Sequence, residues 1–410
     1  MTYDVAIVGG GMVGATLAVA LAPLNLRVAL IEAIPHNAAA QPSFDERTTA
    51  LSNGSRRILE AIGVWSALDA AATPIAKIHV SDQGRFGFAR IDAREQGLKA
   101  MGYVVANRAL GSALWSHLSS QETKVFCPAV LSGLTANDEA VKIEFAESGA
   151  KIAIDAKLIV AADGAQSVVR SAFGVAAEVR DYGQTAVITT VLPQRFHDNV
   201  AYERFTPEGP LALLPLDGGR CTLVLTLAKD AAHSALAWSD QEFLAEVQRR
   251  FGFRLGRFLK VGRRVPYPLS LTQSERTSAP RCVIIGNAAQ GLHPVAGMGF
   301  NLGLRDVASL AELIAENARG AADARKFADP GNAQLLHEYD AWRRADRGGV
   351  IAFTDGLVRM FSNPSSVVAR VRNLGLLAFD LLPPAKSALS RLSTGGGGRV
   401  PKLARGVALT

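Results

Sequence analysis

Cysteine is scarce in this chain. Cys127, Cys221 and Cys282 are the only three in 410 residues, and no C-x-x-C occurs. That excludes a dithiol reductase centre and a cysteine zinc site, and thiols scattered through apolar runs fit a reducing compartment. No His, Cys or carboxylate grouping has metal-ligand spacing, so no metal is expected. No uncharged apolar run reaches the roughly eighteen residues that a membrane helix needs. No basic leader or cleavage site precedes the strand that starts at Tyr3, so no export signal is expected and the expected location is cytoplasmic. No nucleophile elbow or Ser-His-Asp order stands out. Acid is in deficit: 37 Asp and Glu against 44 Lys and Arg give a net charge of +7. Without a zinc finger, RNA-binding signature or basic helix, that excess points away from nucleic acid. It fits a solvated surface, anionic nicotinamide phosphates or an anionic membrane face.

Two glycine-rich segments dominate what is present. An apolar strand from Tyr3 to Val8 runs into Gly9-Gly10-Gly11-Met12-Val13-Gly14, a helix over Ala15 to Leu24, and a second strand from Arg27 to Ile31 that ends at Glu32. Gly9 permits the tight turn, Gly11 lets backbone approach a pyrophosphate, and Gly14 lets helix pack on strand. The pyrophosphate then sits on amide donors at the positive helix end. Glu32 lies where a carboxylate accepts from adenosine ribose hydroxyls, and it would repel a 2′-phosphate, so this pocket should not hold NADPH. In the second segment, strand Cys282 to Ile285 breaks at Gly286-Asn287. It passes His293-Pro294 and Gly297-Met298-Gly299 and enters a helix near Asn301. Backbone of that kind can lie flat against a large planar ligand, which narrows the dinucleotide to a flavin.

Other residues have two readings each. Arg47, in a loop with Asp45 and Glu46, makes either a surface ion pair or a forked contact to pyrophosphate. Asp163 ends the apolar strand Leu158 to Ala162, and Ser167 follows at a helix start. Both suit a turn and an N-cap as well as a site, and Arg170 could be solvated. A lone His293 is more often structural than catalytic. Leu211 to Leu214 and Phe205 are either sheet core or the wall of a substrate pocket. Val367, Val371, Leu374, Ala378 and Leu381 form a helical stripe with Arg370, Arg372 and Lys386 nearby. It packs on the body of the protein or meets a membrane or partner.

Four motifs in order resemble the class A FAD-dependent aromatic monooxygenases. They are the glycine fingerprint with Glu32, Asp45-Glu46-Arg47-Thr48-Thr49, Val160 through Arg170, and Gly286 through Asn301. Gly286-Asn287-Ala288-Ala289-Gln290, Tyr202 to Thr206 and Gly209 to Pro215 are similar to the ubiquinone-biosynthesis hydroxylases, on the branch that acts on 2-polyprenyl-6-methoxyphenol. The similarity runs to about Lys386. It implies FAD held by Gly9, Gly11, Gly14, Glu32, Arg47, Arg108, Asp163, Asn287 and backbone at Gly299, Phe300 and Asn301. It also implies a loop of His293, Pro294 and Gly297 at the flavin face. Asn287 stands where most of the family has Asp, and Met298 where Gln is usual. No residue is assigned as the catalytic one.

The implied chemistry is NAD(P)H reduction of FAD, reaction with O2 to a flavin C4a-hydroperoxide, and hydroxylation of a prenylated phenol. The expected fold is α/β: a doubly wound Rossmann-like FAD domain (1–74, 102–178, 279–340), an interposed β-sheet substrate domain (75–101, 179–278) like that of para-hydroxybenzoate hydroxylase, and a helical C-terminus (341–410). Peripheral contact with the inner membrane face, or assembly with other quinone-biosynthesis proteins, would bring the enzyme to its substrate. The alternatives are hydroxylation at another ring position or of another aromatic, and a non-oxygenating flavoprotein such as a prenyl reductase or a redox partner.

Overall fold

A computed structural model describes residues 1–38, 41, 43–45, 47–119, 122–292, 297–319, 329–362 and 399–409. Of residues 353, 355 and 357–362 it describes the backbone alone. The stripe from Val367 to Leu381 lies outside these residues, as do Glu46, His293 and Pro294.

Strand Thr2–Val8 is apolar on both faces, as a central parallel strand must be. It sits inside an eight-stranded sheet, flanked in parallel by Ala150–Ala161 and Val28–Ile31. Cys282–Ile284 extends the parallel set on one side and Lys124–Phe126 on the other. Alternate residues face two cores. Val5, Ile7, Val160 and Val283 pack under helices Met12–Leu21, Asn107–Ser119 and Met298–Arg319, while Ala6, Ile159 and Ile284 face Phe145 and Val169. The first strand lies between the second and a later one, so strand order reverses beside it. A crevice opens there beyond the carboxyl ends of the strands.

A nine-stranded, mostly antiparallel sheet takes its strands from 77–92, 177–274 and 290–291. One face carries Val187, Leu211, Leu213, Leu223 and Leu225, sealed by helices Lys229–Ala237 and Asp240–Phe251. The other face lines a cavity. Period-two alternation therefore splits Leu211 to Leu214. Leu211 and Leu213 are core, while Ala212 and Leu214 face the cavity with Phe205.

Two local expectations are corrected. Asp45 to Ser52 reads from sequence as a loop feeding a helix, but Thr48–Ser52 is a strand paired with Gly102–Ala106 in a three-stranded sheet. Trp238 to Phe251 reads from sequence as one helix, but the helix starts at Asp240, because Ser239 and Glu242 close a capping box there. Ser239→Ala removes the cap and should cost about 1 kcal/mol. Urea unfolding of the variant checks this, and an unchanged midpoint would assign the helix start to packing alone.

Candidate functional site

The carboxyl ends of adjacent parallel strands deliver the predicted residues to one place. Val8 pairs with Ala161 and Ile31, and Ala161 with Ile284. The residues that follow are Gly9, Glu32, Asp163 and Asn287, and all line one cavity of about 1600 Å³. That exceeds the roughly 300–1,000 Å³ of an ordinary small-molecule pocket, so there is room for a dinucleotide and a second ligand. Gly11, Arg47, Gly297, Gly299 and Phe300 line it too, and the far wall is the open face of the nine-stranded sheet.

The glycines are required by close approach. Gly9 has φ +102°, and a Cβ there would lie 2.4 Å from the Ala162 carbonyl oxygen. A Cβ on Gly14 would lie 1.9 Å from the Gly9 oxygen. Gly14 itself does not line the cavity. It packs the helix onto the turn and so aims the helix start at the cavity.

Helix Met12–Leu21 has no side-chain cap and no acid in its first turn. Its first amides and positive dipole end therefore suit an anion. Glu32, 8% exposed, accepts from the Gly10 amide and from Ile34 N at 2.8 Å. A carboxylate has about four lone-pair sites, so capacity remains for ribose hydroxyls. Asp163 Oδ2 accepts from Val169 N at 3.1 Å, while its buried Oδ1 has no partner among the described residues. Asp163 and the Gly164 turn both line the cavity. Ser167 is the N-cap, accepting from Arg170 N at 2.9 Å. Arg170 is not solvated: it is 7% exposed and donates to Ala288 O at 2.7 Å.

Arg47 makes the ion pair of its first reading and lines the cavity as well. It pairs with Asp45 at 2.5 Å, and it also stacks 5.1 Å from the Tyr267 ring at the cavity wall. Arg108 is exposed and is not among the residues that line the cavity. The Asn301 side chain is spent on structure. It accepts from Ser52 N at 2.8 Å and Ser55 Oγ at 2.7 Å, and it donates to Ala50 O and Gly297 O. It ties the second glycine loop to strand Thr48–Ser52. Asn287 is exposed to the cavity, and a Cβ on Gly299 would meet nothing within 4 Å, so ligand can approach its backbone. The uncapped helix start, the orphaned Asp163 oxygen and the glycine cradle all fit a bound dinucleotide.

Two residues escaped sequence reasoning. Asp306, fully buried, accepts from Gly286 N at 2.9 Å and Gln290 Nε2 at 2.6 Å, and pairs with Arg343 Nε at 2.7 Å. Arg343 also holds Asp346, which in turn holds Arg305 at 2.6 Å. Burial disfavours the Arg343 charge, but Asp306 and Asp346 outweigh it and its pKa is raised. The available signal was an Arg305-Asp306 pair inside the apolar run of helix Met298–Arg319. The second residue is Glu203, on the cavity face of the sheet, where burial pushes its carboxyl up to about 7. Its signal was a charge between Ala201 and Phe205 on an apolar alternation.

Among the described residues no helix is long and apolar enough to cross a membrane. A family model described as an FAD binding domain matches residues 2–345. Ubiquinone hydroxylase UbiL of Rhodospirillum rubrum is 39% identical over 99% of this chain and 93% of its own. The 3-demethoxyubiquinol 3-hydroxylase of Escherichia coli is 31% identical over 92% of this chain and 94% of its own. The crystal structure of p-nitrophenol 4-monooxygenase PnpA from Pseudomonas putida superposes with a TM-score of 0.78, covering 97% of this chain and 100% of that one at 19% identity.

Proposed function

The chain belongs to the FAD-binding-domain family of aromatic monooxygenases, among the ubiquinone-biosynthesis hydroxylases, and from that premise we propose that it hydroxylates 2-polyprenyl-6-methoxyphenol at the expense of NAD(P)H and O2. The observation that carries this reading is the shared cavity. Its dinucleotide end and its apolar sheet face are continuous, so a ring cofactor and an apolar aromatic meet without crossing solvent.

FAD held there would supply the redox chemistry that couples NAD(P)H oxidation to the transfer of one oxygen atom of O2 to an aromatic ring. The chain's own residues bind and orient. Amides of the first turn after Gly11 hold the pyrophosphate, with Gly9 and Gly14 shaping the cradle and Arg47 adding positive charge. Glu32 accepts from the adenosine ribose, and Asp163 and Asn287 serve the remaining polar parts of the cofactor. Backbone at Gly297, Gly299, Phe300 and Asn301 faces the ring, and the positive end of helix Met298–Arg319 stabilises negative charge that develops on it. Ile78, Val80, Leu214 and Phe205 exclude water from the reacting ring, which keeps activated oxygen from being wasted. The domain division expected from the sequence assigns cofactor binding to the parallel sheet and substrate binding to the antiparallel one.

Glu32→Ala should weaken FAD by about 10- to 30-fold, the worth of roughly 2 kcal/mol for hydrogen bonds to a charged acceptor. Reconstitution of stripped protein, followed by flavin fluorescence, measures this. Unchanged affinity would remove Glu32 from the ribose. The whole reading is tested by oxygen uptake with a short-chain 2-methoxy-6-prenylphenol and by deleting the gene in its host. Stoichiometric hydroxylated product and accumulation of polyprenyl-methoxyphenol support it. Accumulation of a demethoxy intermediate would shift the assignment to another ring position, which the Escherichia coli relative's activity favours. NAD(P)H oxidation without product would favour a non-oxygenating flavoprotein.

A further inference from the structure

One ionisable group on the substrate wall has no structural task. Across the nine-stranded sheet, Ala89, Val80, Glu203, Ala212, Val224 and Ile188 are successive cross-strand partners. All line the cavity, and five are aliphatic. Along its own strand Glu203 lies between Ala201 and Phe205 on the same face. No hydrogen bond or ion pair holds its carboxyl among the described residues. A carboxyl placed so is expensive unless it meets a donor. A face meant only to hold an apolar ring would carry a sixth aliphatic there. A phenol brings a donor, and its ring fits the aliphatic surround.

We propose that Glu203 is a catalytic residue that takes the proton from the substrate's phenolic hydroxyl. This rests on the reading of the chain as a phenol hydroxylase. The phenolic O–H bond breaks and an O–H bond forms on a Glu203 oxygen. The electron pair stays on the substrate oxygen and is shared with the ring carbons ortho and para to it, the positions at which an electrophilic oxygen adds. When the hydroxylated ring recovers aromaticity, its carbon loses a proton to solvent. The original oxygen takes back the proton held by Glu203, which ends as the carboxylate.

The position suits a base near neutrality. Burial alone lifts the Glu203 carboxyl to about 7, in the range where proton acceptance and ionisation are best matched. The strands packed beside it present Val80 and Ala212. Elsewhere the cavity carries Arg47 beside Tyr267, with Glu32 and Asp163 at the carboxyl ends of the parallel strands, and none of them contributes to the shift. His79 and Arg204 belong to the alternate set of the same strands and do not line the cavity.

The test uses FAD-loaded wild type, Glu203→Gln and Glu203→Asp, with 2-methoxy-6-prenylphenol as probe. Flavin absorbance first verifies that each variant is loaded. With NAD(P)H, Glu203→Gln should lose roughly 10²- to 10⁴-fold in kcat with a much smaller change in KM. The inflection of its pH–rate profile near neutrality should vanish, while Glu203→Asp keeps part of both signals. A Glu203→Gln enzyme with a wild-type kcat and pH profile would overturn the proposal alone. A wild type that consumes NAD(P)H and never hydroxylates the probe would instead overturn the phenol reading, and this proposal with it.

Discussion

Asp306→Ala is expected to lose about 3–5 kcal/mol of stability, the usual cost of breaking a buried ion pair and leaving its partner charge behind. Asp306 and Arg343 are 0% and 1% exposed, so water cannot replace either member. The carboxylate also accepts from Gly286 N and Gln290 Nε2, so the second glycine loop is fastened through it to helix Ala333–Ser362. Arg347 adds a second tie from that helix, donating to Ala289 O at 3.1 Å. Loss of the carboxylate therefore loosens the backbone beside Asn287, and FAD retention should fall together with the denaturation midpoint. The control is the double variant Asp306→Leu/Arg343→Met. An apolar pair of similar volume commonly replaces a buried ion pair at little cost, so the double variant should be more stable than Asp306→Ala alone. Urea unfolding and bound-flavin content are the measurements. A double variant at least as unstable as the single would show that the loop bonds, not the stranded Arg343 charge, carry the loss.

What the sequence revealed about fold and site follows from where the determining partners lie. The strand, Gly9 to Gly14 and Glu32 were legible because their task is set within some thirty residues. A turn, an uncapped helix and a strand-end acid meet whatever the rest of the chain does. The strand into Gly286 was legible for the same reason. Thr48–Ser52 was not, because its strand character comes from pairing with Gly102–Ala106, fifty residues on. The helix break before Asp240 was written locally in Ser239 and Glu242, and the apolar pattern was read straight through it. Asn301 sits where the glycine pattern placed it, yet its side chain turned out to be a clasp to Ala50, Ser52 and Ser55. Arg170 bonds to Ala288, 118 residues on, and Asp306 pairs with Arg343 on another helix, and no local pattern names either partner. Glu203 was in plain view inside Tyr202-Glu203-Arg204-Phe205. Its meaning depends on Val80, Ala212 and Val224, which the sheet brings beside it from other parts of the chain.

That placement has a consequence in the folded state itself, separate from turnover. The carboxyl of Glu203 lies near 7 in the fold and near 4.5 in an unfolded chain. Below the lower value it is protonated in both states and costs nothing. As pH rises toward 7, the unfolded chain releases its proton and the folded one holds on, so stability falls with pH. Above 7 both are ionised and the penalty is constant. The full difference amounts to about 3 kcal/mol, reduced toward about 2 because the carboxyl borders an open cavity rather than solid core. Glu203→Gln has no proton to lose. At saturating FAD it should match wild type near pH 4.5 and exceed it by that 2–3 kcal/mol near pH 8. Groups common to both proteins titrate alike and cancel in the difference. Urea midpoints of the two proteins across that range are the measurement, and a difference that stays flat with pH would mean that Glu203 is solvated in the fold. The gain in stability and the loss in turnover would then belong to one carboxyl, held among aliphatic side chains at a cost in stability because the reaction needs a base there.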